Sequence, residues 1–112
     1  MKNILVVCSQ NKWRSPTAEN IYRRDPRVIV HSAGLGANSP HQISQKDLIW
    51  ADLLLYMEKD HLERIKKLFP NQTLPKSVNL DIPDDYQYMD PELVQILTEK
   101  IEPIVTAPSR LI

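Results

Sequence analysis

The chain has 112 residues and one cysteine, and its 14 lysine and arginine side chains balance 14 aspartate and glutamate side chains. This length fits a single domain over residues 1–112, and zero net charge argues against a protein that binds membranes or nucleic acid through bulk charge. One cysteine excludes an internal disulfide and favours the reducing cytoplasm, and the first apolar run, Ile4–Cys8, is too short for a signal peptide or a membrane span.

The first predicted elements are a short buried strand, a loop and a helix. The run Ile4–Val7 is continuous in aliphatic residues, which is typical of a central strand in a parallel sheet. Ser15 is expected to cap the helix and Pro16 to occupy its first position, where the missing N–H costs nothing. The loop between strand and helix opens with Cys8 and closes with Arg14.

This turn from strand to helix predicts an anion site, because free backbone N–H groups and the positive end of the helix dipole converge there. A thiol close to these N–H groups and to the positive end of the helix dipole is expected to lose its proton readily, and the resulting Cys8 thiolate is a nucleophile. The Arg14 guanidinium matches two oxygens of a phosphate, and the Ser15 hydroxyl can donate to the thiolate. The alternative is that Cys8 is only a small core residue at a strand end.

At these residues the sequence resembles the low-molecular-weight protein tyrosine phosphatases, which carry Cys-x5-Arg-Ser directly after the first strand. The resemblance extends over most of the chain, is thin in the middle, and suggests a short, divergent member. It implies that Cys8 is the nucleophile, that Arg14 is catalytic, and that the loop binds phosphate. The residues of this phosphate loop are Ser9, Gln10, Asn11, Lys12, Trp13, Arg14 and Ser15.

The next predicted elements continue the alternation of helix and strand. The first helix is expected to run on from Thr17 to Arg24, and a second strand covers Val28–Ser32. A Ser-Ala-Gly turn follows, and the family resemblance implies that Ser32, with His31 beside it, supports the phosphate loop from behind. An ordinary turn at a strand end explains the same residues equally well.

The stretch Leu35–Ser44 is predicted to be irregular, because it is rich in residues that favour turns. The resemblance implies a longer segment at this point, with an aromatic wall of the substrate cleft and then a full helix. His41 is expected to face solvent. Because no second ligand lies at metal spacing, we predict neither a metal nor another cofactor.

The second half of the chain predicts, in order, a short helix from Ser44 to Trp50, a strand Ala51–Met57, a helix Glu58–Phe69, a strand Val78–Ile82, and a final helix capped by Asp90. His61 is expected on the surface, and the tail from Pro103 onward, with Pro108 and Ser109, is expected to fray. This alternation predicts an α/β fold: a three-layer sandwich with a four-stranded parallel sheet and the phosphate loop after strand 1.

A general acid is expected after the fourth strand, because breaking a phosphate ester requires a proton for the leaving oxygen. The resemblance implies an aspartate in an Asp-Pro loop there, and Ile82-Pro83-Asp84 corresponds to it. Asp84 is therefore the predicted acid. Asp85 replaces the family's proline and is the alternative acid or a supporting residue. Both could instead only form a turn.

Three residues of the phosphate loop depart from the family pattern. Gln10 replaces a glycine and would strain the loop if its position required a positive φ. Trp13 stands where the family has a second cysteine, and Lys12 replaces an apolar residue of the cleft. Lys12 and the shortened middle favour a polar, more anionic ester over phosphotyrosine. Lys12 could equally point into bulk water.

The predicted function is a cytoplasmic phosphomonoesterase that works through a phosphocysteine, with a phosphorylated protein, nucleotide, RNA end or small molecule as its partner. One alternative is an inactive phosphate-binding module. Another is an arsenate reductase, which would need further cysteines. A structural domain with a chance motif is the remaining alternative. The sequence carries no signal for the oligomeric state.

Overall fold

A computed structural model describes residues 2–107 and contains four strands and four helices within that range. The strands are β1 (Lys2–Cys8), β2 (Val28–Gly34), β3 (Leu53–Tyr56) and β4 (Lys76–Asn79). The helices are α1 (Arg14–Ile21), α2 (Gln45–Trp50), α3 (Lys59–Leu68) and α4 (Pro91–Thr106). Within this range, no helix combines the length and the apolar character that crossing a membrane requires.

The four strands form one parallel sheet in the order β2-β1-β3-β4. β1 lies in the middle, where its continuous aliphatic run is buried on both faces. Its last residue, Cys8, pairs with Gly34 of β2, and on its other side Val7 pairs with Tyr56 of β3. The carboxyl ends of all strands therefore meet at one edge of the sheet, where sites in such folds are found.

Each face of the sheet is covered by a pair of helices, which makes the fold three layers. One core joins the sheet to α1 and α4, and the other joins it to α2 and α3. Alternate side chains of β1 pack into the two cores. Ile4 and Val6 belong to the core with α1 and α4, and Leu5 and Val7 belong to the core with α2 and α3. The predicted α/β class with a four-stranded parallel sheet is confirmed.

The start of α1 differs from the prediction. The helix begins at Arg14, and Trp13 stands at the capping position without a side-chain hydrogen bond. Ser15 is fully buried inside the first turn, so its hydroxyl is not a helix cap, and Pro16 is the third residue of the helix where the sequence predicts the first. The Ser15 hydroxyl, which the sequence predicts to cap the helix, instead contacts the Cys8 thiol.

The end of the chain also differs, because α4 continues through Pro103 to Thr106. Proline costs this helix one backbone hydrogen bond, but Ile101 and Val105 remain buried on either side of it. The Lys2 ammonium donates to the carbonyls of Ile104 (3.0 Å) and Ala107 (3.1 Å), which satisfies acceptors at the helix end. The part of the predicted tail that contains Pro108 and Ser109 lies outside the described residues.

The fourth strand is shorter and earlier than predicted. β4 ends at Asn79, although the Leu80 and Ile82 amides still donate to the Tyr56 and Met57 carbonyls. Between them Asp81 adopts a left-handed backbone conformation, with φ at 55°. A non-glycine residue in that conformation breaks the regular ladder, so the chain leaves the sheet as an extended loop toward Asp84.

Candidate active site

The Cys8 thiol lies at the carboxyl end of β1, almost fully buried at 3% exposure. Its Sγ is 3.0 Å from the Ser15 Oγ in the first turn of α1. The phosphate loop therefore closes on itself through these two side chains. The Ser15 hydroxyl is therefore within hydrogen-bond distance of the sulfur that the sequence predicts to be the nucleophile.

Asn11 restricts the hydrogen bonds that the Ser15 hydroxyl can make. Its backbone is left-handed, with φ at 51°, and its side-chain Oδ1 accepts from the His41 amide at 3.1 Å. The Nδ2 group must then be the donor to the Ser15 and Ser32 hydroxyl oxygens, each at 3.0 Å. Because the Ser15 oxygen already accepts from Asn11, its own proton is available to Cys8 or to the Ala33 carbonyl, 3.3 Å away.

The same chain of hydrogen bonds continues behind the loop through Ser32. Its hydroxyl accepts from Asn11 and donates to the Glu19 carboxylate at 2.6 Å. Ser32 thus lies where the sequence expected it, directly behind the phosphate loop. His31 does not take part, because its ring stacks on Trp50 with the centroids 4.2 Å apart.

Arg14 is the most deeply buried charged group near the thiol, with 1% of its side chain exposed. One of its terminal nitrogens, Nη1, donates to the Ile82 carbonyl at 2.8 Å and to the Glu58 carboxylate at 2.9 Å. Both partners lie at the carboxyl ends of neighbouring strands. They hold the guanidinium plane in place, while its remaining N–H groups stay available for an anion in the cavity above Cys8.

A cavity of about 190 Å³ opens over the thiol and is lined by Cys8, Gln10, Lys12, Trp13, Arg14 and Asp84. Asp84 Oδ1 lies 3.6 Å from Arg14 Nε, although the two residues are far apart in sequence. Asp85 is exposed and does not line this cavity. The structure therefore places Asp84 on the wall of the cavity that Cys8 also lines, and Asp85 outside that lining.

The Lys12 ammonium lies over the Trp13 indole, 5.1 Å from the ring centroid. The two side chains therefore form a cation–π pair on the wall of the cavity. The Lys12 side chain remains exposed to solvent, so its role toward a substrate stays a prediction.

Gln10 is accommodated without the strain that a positive φ would impose. Among residues 2–107, the non-glycine residues with positive φ are Asn11, Asp81 and Met89, so the left-handed position of this loop is one residue beyond Gln10. The Gln10 amide instead occupies space next to Gly36, where an added Cβ would lie 2.6 Å from its Oε1. The Gln10 side chain therefore uses space that Gly36 leaves open in this conformation.

His61 is fully buried, so its predicted surface position is wrong. Its Nδ1 accepts from the Met57 amide at 3.2 Å, which places the proton of the neutral ring on Nε2. That nitrogen contacts the Ser9 hydroxyl at 3.1 Å and lies 3.4 Å from the Glu58 carboxylate. His61 thus joins the phosphate loop to the residue that holds Arg14.

Burial lowers the pKa of His61 below its ordinary value, against the opposing effect of the Glu58 carboxylate. A lowered pKa means that the unfolded chain binds this proton more readily than the folded one. The contribution of His61 to stability is therefore complete above about pH 6.5 and is lost as the pH falls from there toward the folded pKa.

We expect acidification from pH 7.5 to 5.5 to lower the free energy of unfolding of the wild-type chain more steeply than that of His61→Gln. Urea denaturation at several pH values measures both. His41→Gln is the matched control, since His41 is exposed and lies outside the cavity. Identical pH slopes for the wild-type chain and His61→Gln would contradict the assignment.

Sequence reasoning missed Glu58, His61 and Thr17, which all contact the phosphate loop or the residues around Asp84. A weak signal existed for His61, because Ile65, one helical turn later, is also fully buried and marks that face of α3 as the inner one. Among the described residues, no three histidine, cysteine or carboxylate side chains come together as metal ligands would.

Comparison with known proteins gives several similar chains, although no family model matches. The chain is 38% identical to the low-molecular-weight protein-tyrosine-phosphatase Wzb of Escherichia coli K12, over 61% of this chain and 63% of that protein. It therefore spans less than two thirds of that relative's length. It is 30% identical to the low-molecular-weight protein-tyrosine-phosphatase Ptp of Acinetobacter johnsonii, over 78% of this chain and 82% of that protein.

The fold is also shared with solved structures. Wzb from Vibrio vulnificus, in complex with benzylphosphonate, matches with a TM-score of 0.74 and 25% identity, over 93% of this chain and 97% of that chain. The Acinetobacter alignment runs over 116 residues, more than the 112 of this chain, so it crosses positions that this chain lacks.

Proposed function

This chain belongs to the low-molecular-weight protein-tyrosine-phosphatase family, and we propose that it is a cysteine-dependent phosphomonoesterase. One observation carries the proposal: Cys8, Arg14 and Asp84 come from three separate parts of the chain and line the same cavity. The Cys8–Ser15 contact at 3.0 Å supports a thiolate at its base. These are the groups that nucleophilic attack on a phosphoryl group requires.

In the first step, the Cys8 thiolate attacks phosphorus in line and an S–P bond forms. The P–O bond to the leaving alcohol breaks, and Asp84 donates its proton to that oxygen. The free N–H groups of the Arg14 guanidinium and the loop amides bind the equatorial phosphoryl oxygens, where charge is spread in the transition state. The products are a phosphocysteine and the free alcohol.

In the second step, Asp84 is a carboxylate and accepts a proton from water. The resulting hydroxide attacks phosphorus, the S–P bond breaks, and inorganic phosphate leaves. Cys8 returns as the thiolate and Asp84 as the acid, so each turnover consumes one water and restores the enzyme. The Ser15 hydroxyl stabilises the sulfur as a leaving group in this step.

The main alternative is a phosphate-binding module that retains the loop but does not turn over substrate. One experiment separates the two functions. An enzyme should hydrolyse p-nitrophenyl phosphate, and inorganic phosphate should slow the alkylation of Cys8 by iodoacetate near neutral pH. An inactive module would show the protection without the hydrolysis. Absence of both would contradict the phosphate site itself.

An arsenate reductase would need a resolving thiol, which these 112 residues do not supply.

We propose further that the substrate is a polar, anionic phosphate ester, such as a phosphorylated nucleotide, RNA end or sugar. Support comes from the Lys12 ammonium, which is held on the cavity wall by its contact with Trp13. A second positive charge beside Arg14 favours a second negative charge on the substrate.

The single thiol must stay reduced to react, so we place the protein in the cytoplasm.

Replacing Lys12 by isoleucine is expected to reverse the substrate preference. The variant should lose about 10-fold in kcat/KM on nucleotide and sugar phosphates, because it loses one close charge interaction, and should gain on phenyl phosphate. The measurement is kcat/KM over a panel of aryl, sugar and nucleotide monophosphates.

Lys67→Ile is the matched control, because Lys67 is exposed on α3 and does not line the cavity. It should leave the preference unchanged. A wild-type chain that prefers phosphotyrosine peptides, together with an unchanged preference in Lys12→Ile, would refute the proposed substrate class.

A further inference from the structure

The segment that carries Asp84 is anchored at both of its ends. We define this acid loop as residues 82–88, flanked by Asp81 and Met89. At its start, the Ile82 amide donates to the Met57 carbonyl at 3.0 Å and the Ile82 carbonyl accepts from Arg14 at 2.8 Å. At its end, the Met89 amide donates to the Thr17 hydroxyl oxygen at 2.9 Å.

Thr17 is suited to hold this end of the loop. It lies in the first turn of α1 and is fully buried. Its hydroxyl proton is committed to the Trp13 carbonyl at 2.6 Å, so its oxygen faces Met89 as an acceptor. One side chain therefore joins the last part of the phosphate loop to the end of the acid loop.

The backbone of the acid loop needs such an anchor. Both flanking residues, Asp81 and Met89, are left-handed, with φ at 55° and 61°. Side chains other than glycine adopt this conformation only where surrounding contacts impose it. Met89 is the third residue of a turn that the Asp90 amide closes on the Gln87 carbonyl at 3.1 Å, and the hydrogen bond to Thr17 attaches this turn to α1.

The Asp84 side chain does little to fix its own position. It is 52% exposed, and its nearest charged partner is Arg14 at 3.6 Å. Its distance from the cavity therefore depends on the backbone of the acid loop. A shift of about 1 Å in a proton donor is enough to cost a large part of its catalytic effect.

We infer that Thr17 is a positioning residue for the general acid: through Met89 it holds the acid loop, and hence Asp84, over Cys8. This inference rests on the proposed phosphatase function. It predicts a defect that depends on the leaving group, because only poor leaving groups need the proton of Asp84.

The test measures kcat/KM for phenyl phosphate and for 2,4-dinitrophenyl phosphate, whose leaving group needs no proton. Thr17→Val keeps the shape but removes the acceptor, and should lose about 10-fold on phenyl phosphate and less than about 2-fold on the dinitrophenyl ester. Thr17→Ser retains the hydroxyl and should restore activity to near the wild-type value. Thr17→Ala is used in its place if valine prevents folding.

Combining Thr17→Val with Asp84→Ala separates positioning from general damage. If Thr17 acts through Asp84, it should have almost no further effect once Asp84 is absent. An equal loss on both esters, or a loss that persists in the Asp84→Ala background, would overturn the inference. A wild-type chain that hydrolyses neither ester would refute the proposed function instead.

Discussion

Replacing Cys8 by serine is expected to lower kcat for p-nitrophenyl phosphate by more than about 10⁴-fold, because the phosphoenzyme can no longer form at sulfur. A serine hydroxyl stays protonated at neutral pH, and the helix end and Arg14 that favour a thiolate cannot ionise it. The fold should remain intact, since the thiol is replaced by a slightly smaller side chain.

Inorganic phosphate binding provides the control for this variant. Cys8→Ser should still bind phosphate, because Arg14 and the loop amides are unchanged, and isothermal titration calorimetry measures it directly. Mass spectrometry after rapid acid quench should detect a phosphorylated wild-type chain during turnover. Residual hydrolysis within about 10-fold of the wild type would show that Cys8 is not the nucleophile.

Replacing Asp84 by alanine is expected to lower kcat/KM by about 10² to 10⁴ for esters with poor leaving groups, the range that general acid catalysis supplies. Asp84 lines the cavity with Cys8, so we expect its carboxyl group to reach the departing oxygen of a bound ester. The loss should shrink as the leaving group becomes a better one. A plot of log kcat/KM against leaving-group pKa should therefore be steeper for the variant than for the wild type.

Asp85→Ala is the matched control, because it removes an exposed carboxylate from the adjacent position, outside the lining of the cavity. It should stay within about 3-fold of the wild type for every leaving group, as expected of an exposed residue without a role in proton transfer. If Asp85→Ala gives the steeper plot and Asp84→Ala does not, the acid is Asp85.

The fold could be predicted because its signals are local. The aliphatic run of β1, the caps at Ser44 and Asp90, and the proline at Pro91 each act over a few residues, and the structure contains both caps. The alternation of strands and helices then leaves few topologies for a single sheet. Element ends were less predictable, because Pro103 is tolerated only through the burial of the residues around it.

The site was only partly predictable, because its remaining contacts join distant parts of the chain. Arg14 and Cys8 are close in sequence, and their chemistry could be inferred from spacing. The partner Glu58 follows Arg14 by 44 positions, and no local pattern connects them. His61 was placed on the surface because charged residues surround it in sequence. Its burial becomes evident only when α3 is packed against the phosphate loop.

The contacts of Arg14 have a consequence for the order in which the site forms during synthesis. The phosphate loop leaves the ribosome first, but the Ile82 carbonyl that holds its guanidinium follows 68 residues later. Burying this cation without its partners costs about 3–5 kcal/mol. A nascent chain that stops short of Ile82 is therefore expected to expose Arg14 to water and to leave Cys8 without an ordered anion site. Phosphate recognition is thus completed only after Ile82 has been made, although Arg14 of its sequence motif is made 68 residues earlier.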